Sequence, residues 1–247
     1  MRVAALADVH GNVSALEAVL AEVDVEGVDL IVFLGDVSWG SFPAETLALV
    51  RPLADRSVFV QGNADRDLVR YFDRLERGDD TLSARVRWMV ENHSRADRDL
   101  LATFAETAVL DVDGLGSVRF CHGSPRSLEE CVTEATPADR MAELLRGVEE
   151  DLLVTAHTHV QYDRRVLGKR TVNPGSVGLP YEGRPGAYWA LLGPDVELRR
   201  TDYDVNSEAG RMRSGDEPGV DEIVELLLSP PSREEAIEHA ETVRFSG

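Results

Sequence analysis

The chain has 247 residues, 43% of them hydrophobic, enough for one large domain or a domain with an appendage, and enough to bury a core. Forty-five acidic residues against 26 basic ones leave a net charge of −19, a field that repels nucleic-acid backbones and anionic lipid and opposes a nuclease reading. No stretch approaches the roughly 20 apolar residues of a membrane span, and the first apolar run is short and cut by Asp8, so the expectation is a cytoplasmic protein without a signal peptide.

Strand-like and helix-like segments alternate through the first two thirds, the signature of an α/β layer architecture. Arg2–Ala7 reads as a buried strand ending in Asp8-Val9-His10-Gly11-Asn12. A helix follows with apolar residues at Leu16, Val19, Leu20 and Val23, and Ser14 with Glu17 has the spacing of a capping box at its start. Leu30–Leu34 is a second strand ending in Gly35-Asp36; a helix near Ala44–Leu53 leads to a third, Ser57–Val60, ending in Gln61-Gly62-Asn63-Ala64-Asp65. Residues 67–104 read as helical and highly charged. Thr107–Val112 and Ser117–Cys121 flank Asp113-Gly114-Leu115-Gly116, a hairpin signal, and the second of them runs into His122-Gly123. A helix over Ala138–Glu149 precedes strand Leu152–Thr155, which ends in Ala156-His157-Thr158-His159. Four hairpin-like strands follow: Gln161–Val166, Arg170–Val172, Ala187–Leu192 and Val196–Thr201. Asn206–Gly219 is polar and contains glycine, which predicts a linker, and helices over Asp221–Leu228 and Arg233–Val243 close the chain. These last segments, 206–247, are expected to pack on a domain spanning 1–205. Cys121 and Cys131 are too few for a disulfide framework and read as reduced, buried thiols.

Every polar cluster of interest sits where a strand stops, and ligands of α/β sheets bind outside the carboxyl ends of strands. Asp8, His10, Asp36, Asn63, His122, His157 and His159 offer two carboxylates, four imidazoles and one amide oxygen. Such nitrogen and oxygen donors suit borderline or hard divalent ions and give no reason to expect thiolate ligation. Seven ligands are too many for one tetrahedral ion and suit two ions sharing a bridge, with Asp36 the candidate for that bridge. Asp8 and His10, two apart on an extended strand end, are expected to face the same way. With a bridging hydroxide, two divalent ions and two aspartates leave the site at about +1, favourable for a phosphate ester. Each motif alone is an ordinary turn; the five in order are not. His93 and His239, outside the motifs, read as surface or packing residues.

With those residues in hand, the chain resembles the calcineurin-like metallophosphoesterase superfamily over roughly residues 1–205. It looks closest to a compact prokaryotic phosphodiesterase branch, in Gly62-Asn63-Ala64-Asp65 and in Asn173-Pro174-Gly175-Ser176. The resemblance implies a four-layer α/β/β/α sandwich of two mixed sheets, with a dinuclear metal site at the strand carboxyl edge. It implies that Asp8, His10, Asp36 and His159 hold one divalent ion, and Asp36, Asn63, His122 and His157 the other. Manganese is the first choice, with nickel, iron, zinc or magnesium as alternatives. Asp36, Asn63 and His122 would stand nearest the chemistry, and Asn12 would support that shell or approach the substrate.

Two departures qualify the resemblance. Many members have a histidine where this chain has Ala64, and an imidazole acid there is worth about 10²–10⁴ in rate. Asp65 or Arg66 would substitute as the donor, and Arg126 would clamp a phosphate oxygen. Ala156 replaces the usual glycine before His-x-His, a small change. The expected activity is hydrolysis of a phosphodiester, or a small phosphomonoester, by in-line attack of a metal-bridging hydroxide. The alternative is a non-catalytic metal-binding scaffold of the same fold. The expected partner is a small phosphate ester, with no nucleic acid and no membrane, and a homo-oligomer is left open.

Overall fold

A computed structural model describes residues 1–243. β1 (Val3–Leu6), α1 (Val13–Glu26), β2 (Leu30–Phe33), α2 (Pro43–Val50) and β3 (Ser57–Phe59) come first, followed by α3 (Asn63–Glu76), α4 (Ala84–Glu91) and α5 (Arg95–Leu101). Next are β4 (Thr107–Val112), β5 (Gly116–Cys121), α6 (Ala138–Leu144), β6 (Leu152–Val154), β7 (Tyr162–Val166), β8 (Lys169–Asn173), β9 (Ala187–Leu192) and β10 (Val196–Thr201). Three helices end the described chain: α7 (Val205–Ser214), α8 (Val220–Leu228) and α9 (Arg233–Val243). None of the described helices is long and apolar enough to cross a membrane.

The strands form two five-stranded mixed sheets, ordered β10-β9-β1-β2-β3 and β4-β5-β6-β8-β7. β1, β2 and β3 run parallel, as do β5, β6 and β8, while the outer hairpins pair antiparallel. The period of two then decides the layers. Val3, Ala5 and Val32 face inward and meet Val118, Phe120, Leu152 and Val172 of the second sheet in one apolar cluster. Ala4, Leu6, Ile31 and Phe33 face outward onto α1, α2 and the α3–α5 group. On the far side, α6 covers the second sheet through Met141 and Leu144 against Leu153 and Tyr162. This is the α/β/β/α sandwich. Because both sheets bury both faces, their central strands are apolar throughout rather than alternating.

Two local expectations are corrected. At the start of α1 the cap is Asn12, whose Oδ1 accepts from the Ala15 amide at 3.1 Å; Ser14 is already the second residue of the helix and its Oγ donates instead to Glu208 at 2.7 Å. The stretch read as a linker is largely α7. Asp204 caps it by accepting from the Ser207 amide at 2.9 Å, and Ala209 and Met212 pack with Leu179, Val224 and Leu227. Its helical period escaped the sequence reading because Glu208, a charged residue, is fully buried and satisfied by Ser14 and Arg211. Cys121 and Cys131 are buried free thiols.

Candidate metal centre

Five strands deliver the motif residues to one place: β1, β2 and β3 from the first sheet and β5 and β6 from the second. Among the described residues, six without a glycine side chain have positive φ, and five of them are Asp8 (53°), His10 (47°), Asp36 (52°), His157 (68°) and His159 (58°). Left-handed backbone costs a residue with a Cβ roughly 1–3 kcal/mol, and such strain gathers at functional sites. Asp8 and His10 therefore do not sit on extended backbone, as their spacing suggested. The chain turns sharply at each, and this turn aims both side chains inward.

Two clusters result. Asp8, His10 and His159 present one ligand atom apiece within 4.8 Å of one another, and Asp36, His122 and His157 do the same. The carboxylates join the clusters: Asp36 Oδ2 lies 3.7 Å from His10 Nε2 and 3.6 Å from His122 Nε2. Asp8 Oδ1 lies 3.5 Å from His159 Nε2 and 3.9 Å from His122 Nε2. Asn63 turns its Oδ1 to His122 Nε2 at 3.0 Å.

The tautomers follow from the outer contacts. Nδ1 of His10, His122 and His159 donates to the carbonyl oxygens of Trp39 (3.1 Å), Leu34 (2.6 Å) and Leu179 (2.6 Å). A carbonyl only accepts, so each Nε2 carries a lone pair toward the centre in the neutral form. His10 Nε2 and His159 Nε2 then face each other at 3.2 Å, and Asp8 Oδ1 is buried without a hydrogen-bond partner. Opposed lone pairs and an orphaned carboxylate oxygen are what a cation between them would satisfy. The donor set fits two divalent ions.

Electrostatics agree with that fit. Burial would push the Asp8 carboxyl up, but the His159, His122 and His10 imidazoles overcome it and hold the group well below its ordinary range. Burial, then His122, pushes His157 down to about 4, and burial with His159 lowers His10, so both are neutral and ready to coordinate. Burial opposes protonation of His122 and His159 too, yet Asp36 and Asp8 raise the first and Asp8 raises the second.

The surrounding shell contains residues that the sequence reading missed or placed otherwise. Asp65, offered as a proton donor, is buried and accepts from the amides of Asp36 (2.8 Å), Val37 (3.1 Å) and Gly62 (2.9 Å), tying the second and third motif loops together. Burial and the neighbouring Asp36 push its carboxyl up to about 6. Asn173 donates to the Ala156 carbonyl at 2.8 Å and Ser176 to that of Asp8 at 2.7 Å, so the Asn-Pro-Gly-Ser segment braces two ligand loops. His93 is a buried packing residue, its Nε2 3.0 Å from Ser38 Oγ in the Asp36 loop. Asn12, expected to support the ligand shell or approach the substrate, is fully buried, with its Nδ2 on the Gly178 carbonyl and the Tyr203 hydroxyl, each at 2.9 Å. It is a helix cap that anchors the Gly178 loop. Arg66 is held by Asp67 and Glu129, and Arg126 by Glu130 at 2.8 Å; both line a separate cavity of about 370 Å³ with Gln61 and Ser124. Their charges are already matched.

Gly62 and Gly35 show why glycine stands beside the ligands. A Cβ on Gly62 would overlap Asp36 Oδ1, and one on Gly35 would overlap the Gly62 backbone. Close approach, more than conformational freedom, requires them.

The fold recurs in known proteins. The uncharacterized protein MJ0912 of Methanocaldococcus jannaschii is 26% identical over 230 residues, covering 82% of this chain and 88% of that protein. A crystal structure of a metallophosphoesterase from Sphaerobacter thermophilus is 28% identical, with TM-score 0.72 over 92% of this chain and 98% of its own. The crystal structure of the hypothetical protein PH1004 from Pyrococcus horikoshii OT3 shares the fold, with TM-score 0.79, 24% identity, and coverage of 94% and 99%. A model of the calcineurin-like phosphoesterase superfamily domain matches residues 1–193, which takes in all five motifs, and the chain belongs to that superfamily.

Proposed function

We propose that the protein is a metal-dependent phosphoesterase acting on a phosphodiester or a small phosphomonoester. One observation carries the reading: two inward-facing clusters of nitrogen and oxygen donors meet at Asp36, whose Oδ2 is nearly equidistant from a histidine of each. In this reading Asp8, His10, Asp36 and His159 hold one divalent ion, and Asp36, Asn63, His122 and His157 the other. The bound ions would supply charge neutralisation for the phosphate oxygens and a water acidic enough to act at neutral pH.

The chain's own part is positioning. The three Nδ1–carbonyl bonds fix ring orientation, and the tautomer of the neutral form, so the Nε2 atoms are aimed at the centre before any ligand arrives. The Asp65 carboxylate, accepting three amides, keeps Asp36 and the Gly62 loop in register. Arg66 and Arg126 would have to exchange Glu129 and Glu130 for a phosphate to clamp it, and neither is assigned that role. Manganese is the first metal to test because the donors are all nitrogen and oxygen, with nickel, iron, zinc and magnesium next.

The test compares hydrolysis of a bis-aryl and a mono-aryl phosphate after loading with Mn²⁺, Ni²⁺, Mg²⁺ or Zn²⁺, alongside metal content by mass spectrometry. Roughly two ions per chain and metal-dependent turnover are expected. The Asp36→Asn variant should lose both while keeping its circular dichroism. Full activity in that variant, verified as metal-free, overturns the proposal. Fewer than about one ion per chain in the wild type favours a scaffold of the same fold.

A further inference from the structure

A cavity of about 410 Å³ opens beside His157, distinct from the one that Arg66 and Arg126 line. Its walls are largely apolar, Tyr181 on one side and Pro231, Ala236, Ala240 and Val243 on the other, with Thr158 and His239 as polar members of the lining. The second wall is α9 and the turn before it, the part of the chain that lies beyond the matched family domain. The volume falls within the roughly 300–1,000 Å³ of small-molecule sites.

α9 is pinned in place at both ends. Arg233 at its start donates to the Gln161 carbonyl at 2.8 Å and to Glu182 at 2.7 Å. Near its end, Glu241 accepts from Thr133 Oγ1 at 2.7 Å and from Thr136 Oγ1 at 2.5 Å. Glu235, on the cavity rim, is turned to the Ser232 amide and hydroxyl, each at 2.9 Å, as the cap of this helix. Its carboxylate is thereby taken up by the helix start, which leaves Ala236, Ala240 and Val243 with the His239 imidazole on this wall. The opposite wall connects to the metal centre directly. The Tyr181 ring stacks on His159 at 4.7 Å between centroids and 26° between planes, and the Tyr181 amide donates to the His159 carbonyl at 3.1 Å. The cavity thus touches a candidate ligand of each ion, His157 as lining and His159 through Tyr181.

We propose that this cavity seats the organic group of the phosphate ester, and that the group is uncharged, flat and apolar, of aromatic-ring dimensions. The inference rests on the phosphoesterase reading for the identity of the phosphate site, and goes beyond it in naming what the rest of the substrate is. His157 belongs both to the candidate ligands and to the cavity lining, so an ester whose phosphate is held at the metal centre has the slot beside it. From there the apolar slot between Tyr181 and α9 takes a ring, whose burial is favourable, and offers few partners to a polyhydroxylated or charged group, whose desolvation is costly. α9 is then the specificity wall, supplied by the C-terminal segment rather than by the five-motif sandwich.

Non-hydrolysable phosphonates separate this from catalysis. Calorimetric titration of the Mn²⁺-loaded full chain with phenylphosphonate and methylphosphonate is expected to show the phenyl compound binding at least about tenfold more tightly. Ala236→Trp fills the slot and should bring the two affinities together. Val243→Asp, at a position 48% exposed and so tolerant of substitution, places a charge in the same wall and should do likewise. Circular dichroism identifies a variant that has lost α9. Equal wild-type affinities, no binding of either phosphonate, or an undiminished preference in both folded variants overturns the inference, even if the protein hydrolyses esters. A protein that prefers phenylphosphonate yet hydrolyses no ester with any metal retains the proposed seat and removes only the hydrolase reading.

Discussion

At the scale of single residues, the site is assembled by strain held in place by hydrogen bonds. Five candidate ligands adopt left-handed backbone, and contacts from elsewhere brace their loops: Asn173 on the Ala156 carbonyl, Ser176 on that of Asp8, Asp65 on the Asp36 amide. Removing one brace should therefore loosen metal binding without removing a ligand. Asn173→Ala is expected to weaken Mn²⁺ affinity by about 10–100-fold, the range for outer-shell partners, measured by competition with a chromophoric chelator. Unchanged affinity in a folded variant would show that the Ala156–Thr158 turn holds itself. The histidines also set a pH dependence. His157, held down at about 4 against 6.5 when unfolded, leaves the unfolded chain binding more protons between those values. Its contribution to the metal-free fold is present above pH 6.5 and is lost as the pH falls toward 4. Urea titrations of metal-free wild type and His157→Gln should diverge in that window and run parallel above it.

At the scale of elements, caps and close approaches decide what forms. α7 exists because Asp204 caps it and Glu208 finds Ser14 across the interface with α1, so a polar sequence becomes a packed helix. Asp204→Ala is expected to cost about 1 kcal/mol, read as a lower urea midpoint at constant slope. Gly62→Ala should be far more damaging for the site than for the fold. Its Cβ would overlap the Asp36 carboxylate, so metal content is expected to fall to near zero by mass spectrometry while the thermal transition is retained. An alanine variant with full metal content would mean that the Asp36 loop can retreat.

For the molecule as a whole, strand ends of the two stacked sheets converge on one centre, in a chain whose net charge is −19. Acidic surface of this size favours attraction of divalent cations over polyanions. Within the centre, Asp36 and Asp8 raise His122, and Asp8 raises His159, so the metal-free protein retains protons there above the ordinary imidazole range. Divalent ions must displace them. Mn²⁺ binding is expected to release protons, seen as a buffer-dependent enthalpy in calorimetry, with apparent affinity rising as pH rises through the region where those histidines titrate. A buffer-independent enthalpy near pH 7 would show that the imidazoles are already neutral.

The amino-acid sequence by itself determined the strand–helix alternation, the layer architecture, and the seven residues that the fold brings to one edge. Those features are local: apolar period, turn glycines, and donor types at strand ends. What it could not determine are properties of contacts between distant segments. Asn12 reads as a first-motif side chain that supports the ligand shell or approaches the substrate, and its amide contacts, the Gly178 loop and Tyr203, lie far along the chain. Asp65 reads as a proton donor, yet three amides from two loops surround it. Arg66 and Arg126 read as free cations until Glu129 and Glu130 are found beside them. The Asn206–Gly219 stretch reads as a linker because the partner that satisfies Glu208 lies on α1, 194 residues away. The folded structure decided these, because a polar side chain has no fixed role until its hydrogen-bond partners arrive, and in this fold they come from as near as Glu130, beside Arg126, and from as far as Ser14, opposite Glu208.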